Sequence, residues 1–310
     1  MKVLITGGAG FIGSHIADGV LAAGHEVVVL DNLSSGKREN VPAQATLVEA
    51  DIRSDEAARL VREGGFDAVI HQAAQIDVRK SVTDPRFDAD VNLLGMLNLL
   101  EAAVAGGVQR FLFASSGGAC YGEQDVYPAP ESHPTRPVSP YGASKAAGEL
   151  YLGYYGFEKK LSWCALRYAN VYGPRQDPHG EAGVVAIFTG RCLKDESCTI
   201  FGDGKQTRDY VYVGDVARAN VLALTSDYVG PLNVGTGVET DVVELQAGIA
   251  RATGAKTPAA FAPPRAGEQK RSCIDPAKAG AVLGWKPQVS LQQGLERTAA
   301  FFRELLARAA

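Results

Sequence analysis

The sequence predicts an α/β protein built on a doubly wound parallel sheet, with a smaller C-terminal α/β domain for a substrate. Three observations carry this. Short apolar runs of strand type alternate with helical patterns: Val3-Leu4-Ile5-Thr6, Glu26-Val27-Val28-Val29-Leu30, Thr46-Leu47-Val48-Glu49-Ala50, Asp67-Ala68-Val69-Ile70-His71 and Arg110-Phe111-Leu112-Phe113-Ala114. The first run ends in the cluster Gly7-Gly8-Ala9-Gly10-Phe11-Ile12-Gly13. At 310 residues the chain is long enough to bury a large core and divide in two.

Strand, glycine turn and helix, in that order, make the setting a Rossmann-type dinucleotide site requires. Both GxxGxxG (Gly7, Gly10, Gly13) and GxGxxG (Gly8, Gly10, Gly13) can be read. Either lets the backbone approach a pyrophosphate whose charge faces the following helix N-terminus. The second strand ends in Asp31, about twenty residues on, where an acid accepts from the adenosine ribose and repels a 2′-phosphate. That favours NAD over NADP. Lys37 and Arg38 nearby read either as NADP-serving bases or as a solvated loop. Asp51-Ile52 ends the third strand where it could reach adenine. Gln72-Ala73-Ala74 follows the fourth with small residues suited to a passing cofactor. The helical pattern of Val91, Leu94, Leu97 and Leu100 carries Asn92, and the fifth strand stops at Ser115-Ser116-Gly117-Gly118. Gly7, Asp31, Ala73 and Ser116 all fall at carboxyl ends of strands, where such sheets bind ligands.

Ser139 and Pro140 read as an N-cap and first-turn proline, so a helix should begin there. On it Tyr141 and Lys145 stand four apart and share a face. An ammonium beside a phenol favours the phenolate, lowering the tyrosine from about 10 toward neutrality, where it serves as base or acid. Tyr155 and Lys159 repeat the spacing. The last helix, from about Leu291 to Arg308, carries an apolar stripe of Leu295, Ala299, Phe302 and Leu306 that reads as packing.

Composition bounds the function. A formal charge of −4 gives no reason to expect nucleic-acid or membrane binding. No run approaches a transmembrane span, and Met1-Lys2-Val3-Leu4-Ile5 enters a strand with no signal-peptide layout, so a cytoplasmic protein is expected. Cys120, Cys164, Cys192, Cys198 and Cys273 form an odd, scattered set without CxxC, read as free thiols. The histidines show no ligand spacing, and no metal is expected.

The chain resembles the extended short-chain dehydrogenase/reductase family over nearly its whole length. The residues carrying the resemblance are TGGAGFIG at the start, Asp31-Asn32, Asp51-Ile52, Ser115-Ser116, YGASK at Tyr141 and RYANVYGP from Arg167. FGDGKQTRDYVYVGDVARA from Phe201 and LGW at Leu283 complete them. Within the family it is most similar to UDP-hexose 4-epimerases of the UDP-glucose 4-epimerase type. The resemblance implies an isomerase with Ser116, Tyr141 and Lys145 as catalytic residues, Lys145 holding the nicotinamide ribose. It excludes the Tyr155–Lys159 pair, which lies too late on its helix. It places NAD against Gly7, Gly10, Phe11, Ile12, Gly13, Asp31, Asn32, Asp51, Ile52, Ala73, Ala74, Gln75, Asn92, Tyr141, Lys145 and Tyr168. It places a UDP-sugar against Ser116, Tyr141, Asn170, Arg208, Arg265 and Ser272. Arg208 and Arg265 would hold the diphosphate. Ser272 falls where some epimerases carry a bulky tyrosine, and its small side chain would leave room for N-acetyl sugars.

Spacing departs from the family at one point. Counting back from Tyr121-Gly122 puts the catalytic hydroxyl at Gly117, which has none. Counting forward from the strand puts it at Ser116, with Ser115 as the alternative. The loop Gly118-Ala119-Cys120 lacks the acids that related dehydratases and decarboxylases carry. Family members are often dimers that pair the helices holding Asn92 and Tyr141, so a homodimer is expected. The expected division assigns 1–172 plus about 208–236 to NAD and about 173–207 plus 237–310 to the nucleotide sugar. The rival readings are an epimerase of another UDP sugar such as UDP-glucuronate, a net oxidoreductase or dehydratase, and a regulatory NAD-binding protein without catalysis.

Overall fold

The computed structural model describes residues 1–178, 183–264 and 269–309. In chain order the strands are β1 (Lys2–Thr6), β2 (Glu26–Asp31), β3 (Thr46–Glu49), β4 (Ala68–His71), β5 (Arg110–Ser116), β6 (Ser162–Tyr168), β7 (Asn170–Tyr172), β8 (Thr199–Phe201), β9 (Thr207–Tyr212), β10 (Gly230–Val234), β11 (Glu239–Asp241), β12 (Ala260–Ala262) and β13 (Arg271–Ser272). Seven of them form one sheet in the order β3-β2-β1-β4-β5-β6-β10, every neighbouring pair parallel. β1, β2 and β4 are buried almost end to end, as strands covered on both faces must be.

Helices cover the two faces. Phe11–Ala22 and Val213–Leu224 pack on one, around Ile16, Val20, Val216 and Trp285. Gly95–Ala105 and Pro140–Lys159 pack on the other, with Met96, Leu99 and Leu152 against Phe111 and Phe113. The chain reverses between β1 and β4, the switch point where ligands of such sheets sit.

The helix predicted around Val91–Leu100 is interrupted. Pro85–Ala89 leads into a wider π-helical turn, Asp90–Leu94, before Gly95–Ala105 resumes. The turn adds a residue and rotates the register, so Asn92 is buried and Leu94 exposed.

A second sheet runs β11-β9-β13, with β7 paired to β9. Thus Asp209 lies outside the seven-stranded sheet, although the helix following it, Val213–Leu224, returns to that sheet's face. Helices Val184–Leu193, Val242–Thr253 and Leu291–Ala309 enclose a separate cluster of Phe188, Tyr172, Tyr210, Leu245 and Leu295. In the last helix Leu295, Ala299 and Phe302 are buried, whereas Leu306 is exposed, so the packing stripe stops a turn early.

Two motifs explain each other here. The carboxylate of Asp215 accepts from Gln288 N at 3.1 and 3.0 Å and from Val289 N at 3.0 Å, while its carbonyl accepts from Trp285 Nε1 at 2.9 Å. VGDVARA and LGW are therefore two halves of one latch. All five cysteines are buried free thiols. No helix among the described residues is long and apolar enough to cross a membrane, and no cluster there could hold a metal ion.

Candidate active site

The glycine loop closes against the start of the segment after β4. Gly7 has φ +68°, and a Cβ there would lie 2.7 Å from Ala73 N; a Cβ on Gly13 would strike Gly7 O. Both positions admit no side chain. Helix Phe11–Ala22 starts from Gly10 with no side-chain cap, leaving its first N–H groups facing the carboxyl end of the sheet.

Asp31, buried at the end of β2, accepts from Ala9 N at 3.0 Å and Leu33 N at 2.8 Å, which ties the glycine loop to the second strand. Burial raises its pKa, opposed by those two bonds. Asn32 donates to Asp51 Oδ2 at 3.1 Å. Arg53 grips Asp51 through Nε and NH2, both at 2.8 Å, holding that carboxyl well below the usual carboxylate range. Ile52 is buried beside them, against Gly95.

Gln75 N donates to Asn92 Oδ1 at 2.7 Å and Asn92 Nδ2 returns a bond to Gln75 O at 2.8 Å, so the π-turn pins the Ala73-Ala74-Gln75 segment at two points. The Tyr168 hydroxyl, fully buried, receives Gln72 Nε2 at 3.1 Å and Asn220 Nδ2 at 2.8 Å. Burial pushes its pKa up.

Helix Pro140–Lys159 begins where its cap predicts: the Ser139 side chain accepts from Gly142 N at 3.1 Å, with Pro140 at the first position. Lys145 is buried on it, its Nζ 4.8 Å from the Phe113 ring centre and 5.7 Å from that of Tyr141. Burial pushes Lys145 down to about 8, opposed by the neighbouring Cys120 and Asp88 side chains. His71, at the end of β4, is wholly buried, bonded to Thr6 Oγ1 at 2.7 Å and stacked on the same Phe113 ring. Burial first, then Lys145, pushes His71 down to about 3, so it is neutral. Tyr155, by contrast, lies in the core with Leu152 and Trp163, and Lys159 is exposed.

The two serines part company. Ser115 turns inward, its Oγ donating to Glu149 Oε1 at 2.6 Å. Glu149 pairs with Arg167, whose NH1 donates to the Tyr121 hydroxyl at 2.9 Å, and Tyr121 donates to Asn233 Oδ1 at 2.7 Å. Burial pushes Tyr121 up to about 12, so it remains a donor. Ser116 is only partly buried and caps the short helix Gly117–Tyr121, accepting from Ala119 N at 3.4 Å. Ala119 abuts Gly142 in the first turn of the Tyr141 helix, where a Cβ would meet Ala119 C at 3.1 Å. Ser116, at the end of β5, thus lies one short helix away from the first turn of the helix that carries Tyr141 and Lys145.

The second sheet brings two more of the predicted residues together. Ser272 on β13 is in register with Arg208 on β9, and a Cβ on Gly118 would stand 2.9 Å from Ser272 Oγ. Arg208 NH1 donates to the carbonyl of Thr207 at 2.8 Å. Asn170 opens β7 beside Tyr210 and is exposed. Arg265 lies outside the described residues. The sequence reasoning missed Asp88. It is fully buried and accepts from Gln75, Asn92 and Ser144. Its spacing of four from Asn92 was the available signal.

A parallel sheet with a glycine-lined switch point and an acid ending β2 is the frame of a dinucleotide-dependent enzyme. The model of the NAD dependent epimerase/dehydratase family matches residues 3–235. The chain belongs to that family. It is 49% identical to the UDP-glucose 4-epimerase of Mycolicibacterium smegmatis, over 98% of this chain and 99% of the relative. Among solved structures, it superposes on the Thermotoga maritima UDP-glucose 4-epimerase with UDP-glucose at a TM-score of 0.96, with 47% identity and coverage of 99% and 100%. The Thermus thermophilus UDP-glucose 4-epimerase in complex with NAD gives a TM-score of 0.93, 52% identity and coverage of 98% and 99%.

Proposed function

We propose that this chain is an NAD-dependent UDP-hexose 4-epimerase, interconverting UDP-glucose and UDP-galactose through a transient 4-keto sugar. The observation that carries the reading is the packing of Lys145 on the Tyr141 ring, on a helix that abuts the short helix Gly117–Tyr121, which Ser116 caps and which holds no acid to divert the keto sugar. NAD fits the residues present: the uncapped helix N-terminus would face its pyrophosphate, and the Asp31 carboxylate its adenosine ribose. When bound, NAD supplies the redox partner at the sugar's C4.

The chain's own residues handle binding and the proton. Lys145 would hold the nicotinamide ribose and favours the Tyr141 phenolate, which takes the proton from the 4-hydroxyl while Ser116 bridges to the same oxygen. Arg208 and Arg265 hold the diphosphate as the keto sugar turns its other face, and Tyr141 then returns the proton. Residues 1–172 plus about 208–236 serve the cofactor, and 173–207 plus 237–310 close over the sugar. The small Ser272 leaves room for N-acetyl sugars.

Proton NMR of the purified protein with UDP-galactose and no added cofactor tests this. Conversion to the gluco epimer is expected. No conversion even with NAD added would turn the assignment to another UDP sugar or to a non-catalytic NAD binder.

The same reading includes a cytoplasmic homodimer. Leu150, Tyr154 and Phe157 lie at i, i+4 and i+7 on one face of the Tyr141 helix and are 77%, 53% and 73% exposed. Leu94 is 57% exposed on the π-turn packed against that helix, so apolar side chains of both elements face solvent. Pairing with a second copy about a two-fold axis would cover them. The double variant Leu150→Glu/Phe157→Glu is expected to elute as a monomer in light-scattering chromatography where the wild type elutes as a dimer. A monomeric wild type would remove the dimer from the proposal.

A further inference from the structure

Asp88 is wholly buried, yet its neighbours belong to three different elements. Gln75 Nε2 donates to Oδ1 at 3.0 Å from the segment after β4, Asn92 Nδ2 donates to Oδ1 at 3.0 Å from the π-turn, and Ser144 Oγ donates to Oδ2 at 2.7 Å from the Tyr141 helix. Three donors on one carboxylate satisfy most of its acceptor sites, and each bond is charge-assisted. Ser144 precedes Lys145, so the carboxylate grips the lysine's own turn. Lys145, wholly buried, has no carboxylate in ion-pair contact among the described residues. Its Nζ rests on the faces of Phe113 and Tyr141. The charged or titratable groups facing it are Asp88 from Pro85–Ala89, Cys120 from Gly117–Tyr121, neutral His71 from β4 and Tyr141 from its own helix. Cys120 is buried and its pKa is raised by that burial, so it is a neutral thiol. Asp88 is then the negative charge available to balance the lysine.

We propose that Asp88 is a positioning residue that clamps the Ala73–Gln75 wall, the Asn92 turn and the Tyr141–Lys145 helix into one unit and supplies the counter-charge that keeps Lys145 protonated. This rests on the epimerase reading for its kinetic consequences, though not for the clamp itself. A clamp on the wall acts on cofactor affinity. A counter-charge on Lys145 acts on the pH at which the lysine loses its proton. A residue that merely filled space would do neither.

The test compares wild type, Asp88→Asn and Ser144→Ala by NAD affinity, by KM for UDP-galactose and by the pH profile of kcat. Asp88→Asn keeps the volume and removes the charge. It is expected to weaken NAD binding about tenfold, the equivalent of one charge-assisted hydrogen bond. It should lower kcat about ten- to a hundredfold with KM for the sugar within about twofold. The alkaline limb of kcat should move to lower pH by about one unit, because a lysine without its counter-charge deprotonates sooner. Ser144→Ala removes one donor and leaves the charge, so its alkaline limb should stay where the wild type's lies while kcat falls at least about threefold. An Asp88→Asn limb that does not move, or a drop in kcat uniform across pH, overturns the proposal. If Asp88→Asn does not accumulate as folded protein, Ser144→Ala decides: kcat and NAD affinity both equal to wild type would overturn the clamp. A wild type inactive on UDP-galactose refutes the epimerase reading instead. NAD affinity alone then judges Asp88, and an unchanged value in Asp88→Asn refutes the clamp.

Discussion

Tyr141→Phe is expected to cut kcat for UDP-galactose epimerisation by about a hundred- to ten-thousandfold while leaving the fold intact. The change removes one oxygen from the first turn of a helix whose cap, Ser139 to Gly142 N, does not involve the tyrosine. Packing of the ring against Lys145 is retained, because phenylalanine keeps the ring whose centre lies 5.7 Å from Nζ. Melting temperature and NAD content should therefore match the wild type, with the loss confined to turnover. The measurement is the NMR assay run beside a thermal melt. Near-normal turnover in Tyr141→Phe would reject the phenol as the base.

Lys145→Met is expected to abolish turnover and, in protein stripped of nucleotide, to raise stability. Burial drives this. The folded protein holds Lys145 at about 8 against an ordinary 10.5, so its charge is disfavoured inside. That gap, at about 1.4 kcal/mol per unit, is a burial cost of about 3 kcal/mol. For a group whose folded pKa is depressed, the unfolded chain binds more protons between the two values, so stability rises with pH there. The full cost stands below about pH 8, shrinks between about 8 and 10.5, and is gone above 10.5. Methionine carries no charge and packs well on the Phe113 ring. At pH 7 the variant should be more stable by about 1–3 kcal/mol, and the difference should close as pH approaches 10.5. Denaturant unfolding at pH 7 and at pH 10 measures it. A variant less stable than wild type at pH 7 would mean that the cation is better accommodated than its burial implies. Stability forgone at one position for chemistry is a common pattern in active sites.

Much of this arrangement was legible in the sequence wherever local chemistry determines it. Ser139 and Pro140 announce a helix start because a side-chain oxygen and a fixed φ act within one turn. Gly7 and Asp31 are separated by one strand–helix–strand unit, a distance that the alternating pattern specifies. What stayed hidden needs tertiary contact. Ser115 and Ser116 are adjacent, and strand alternation says that they face opposite ways without saying which faces Glu149. Leu94 looked like a core residue because a helix of regular period was assumed, and the π-turn shifts the phase by one residue. Ser272 and Arg208 meet only through the pairing of β13 with β9. The bond from Asp88 to Ser144 spans 56 residues, beyond any local pattern.

The seventh strand of the main sheet has a consequence for how this chain is made. β10 pairs with β6, yet the chain between them builds β7, β8 and β9 of the other sheets. As the polypeptide leaves the ribosome, β6 presents an open hydrogen-bonding edge until Val234 has emerged. The Arg167–Tyr121 pair likewise waits for Asn233 to complete it. Cutting the chain at residue 172 would leave the β6 edge and the buried polar network without their partners. Nascent chains shorter than about this length are the ones that a chaperone would be expected to shield.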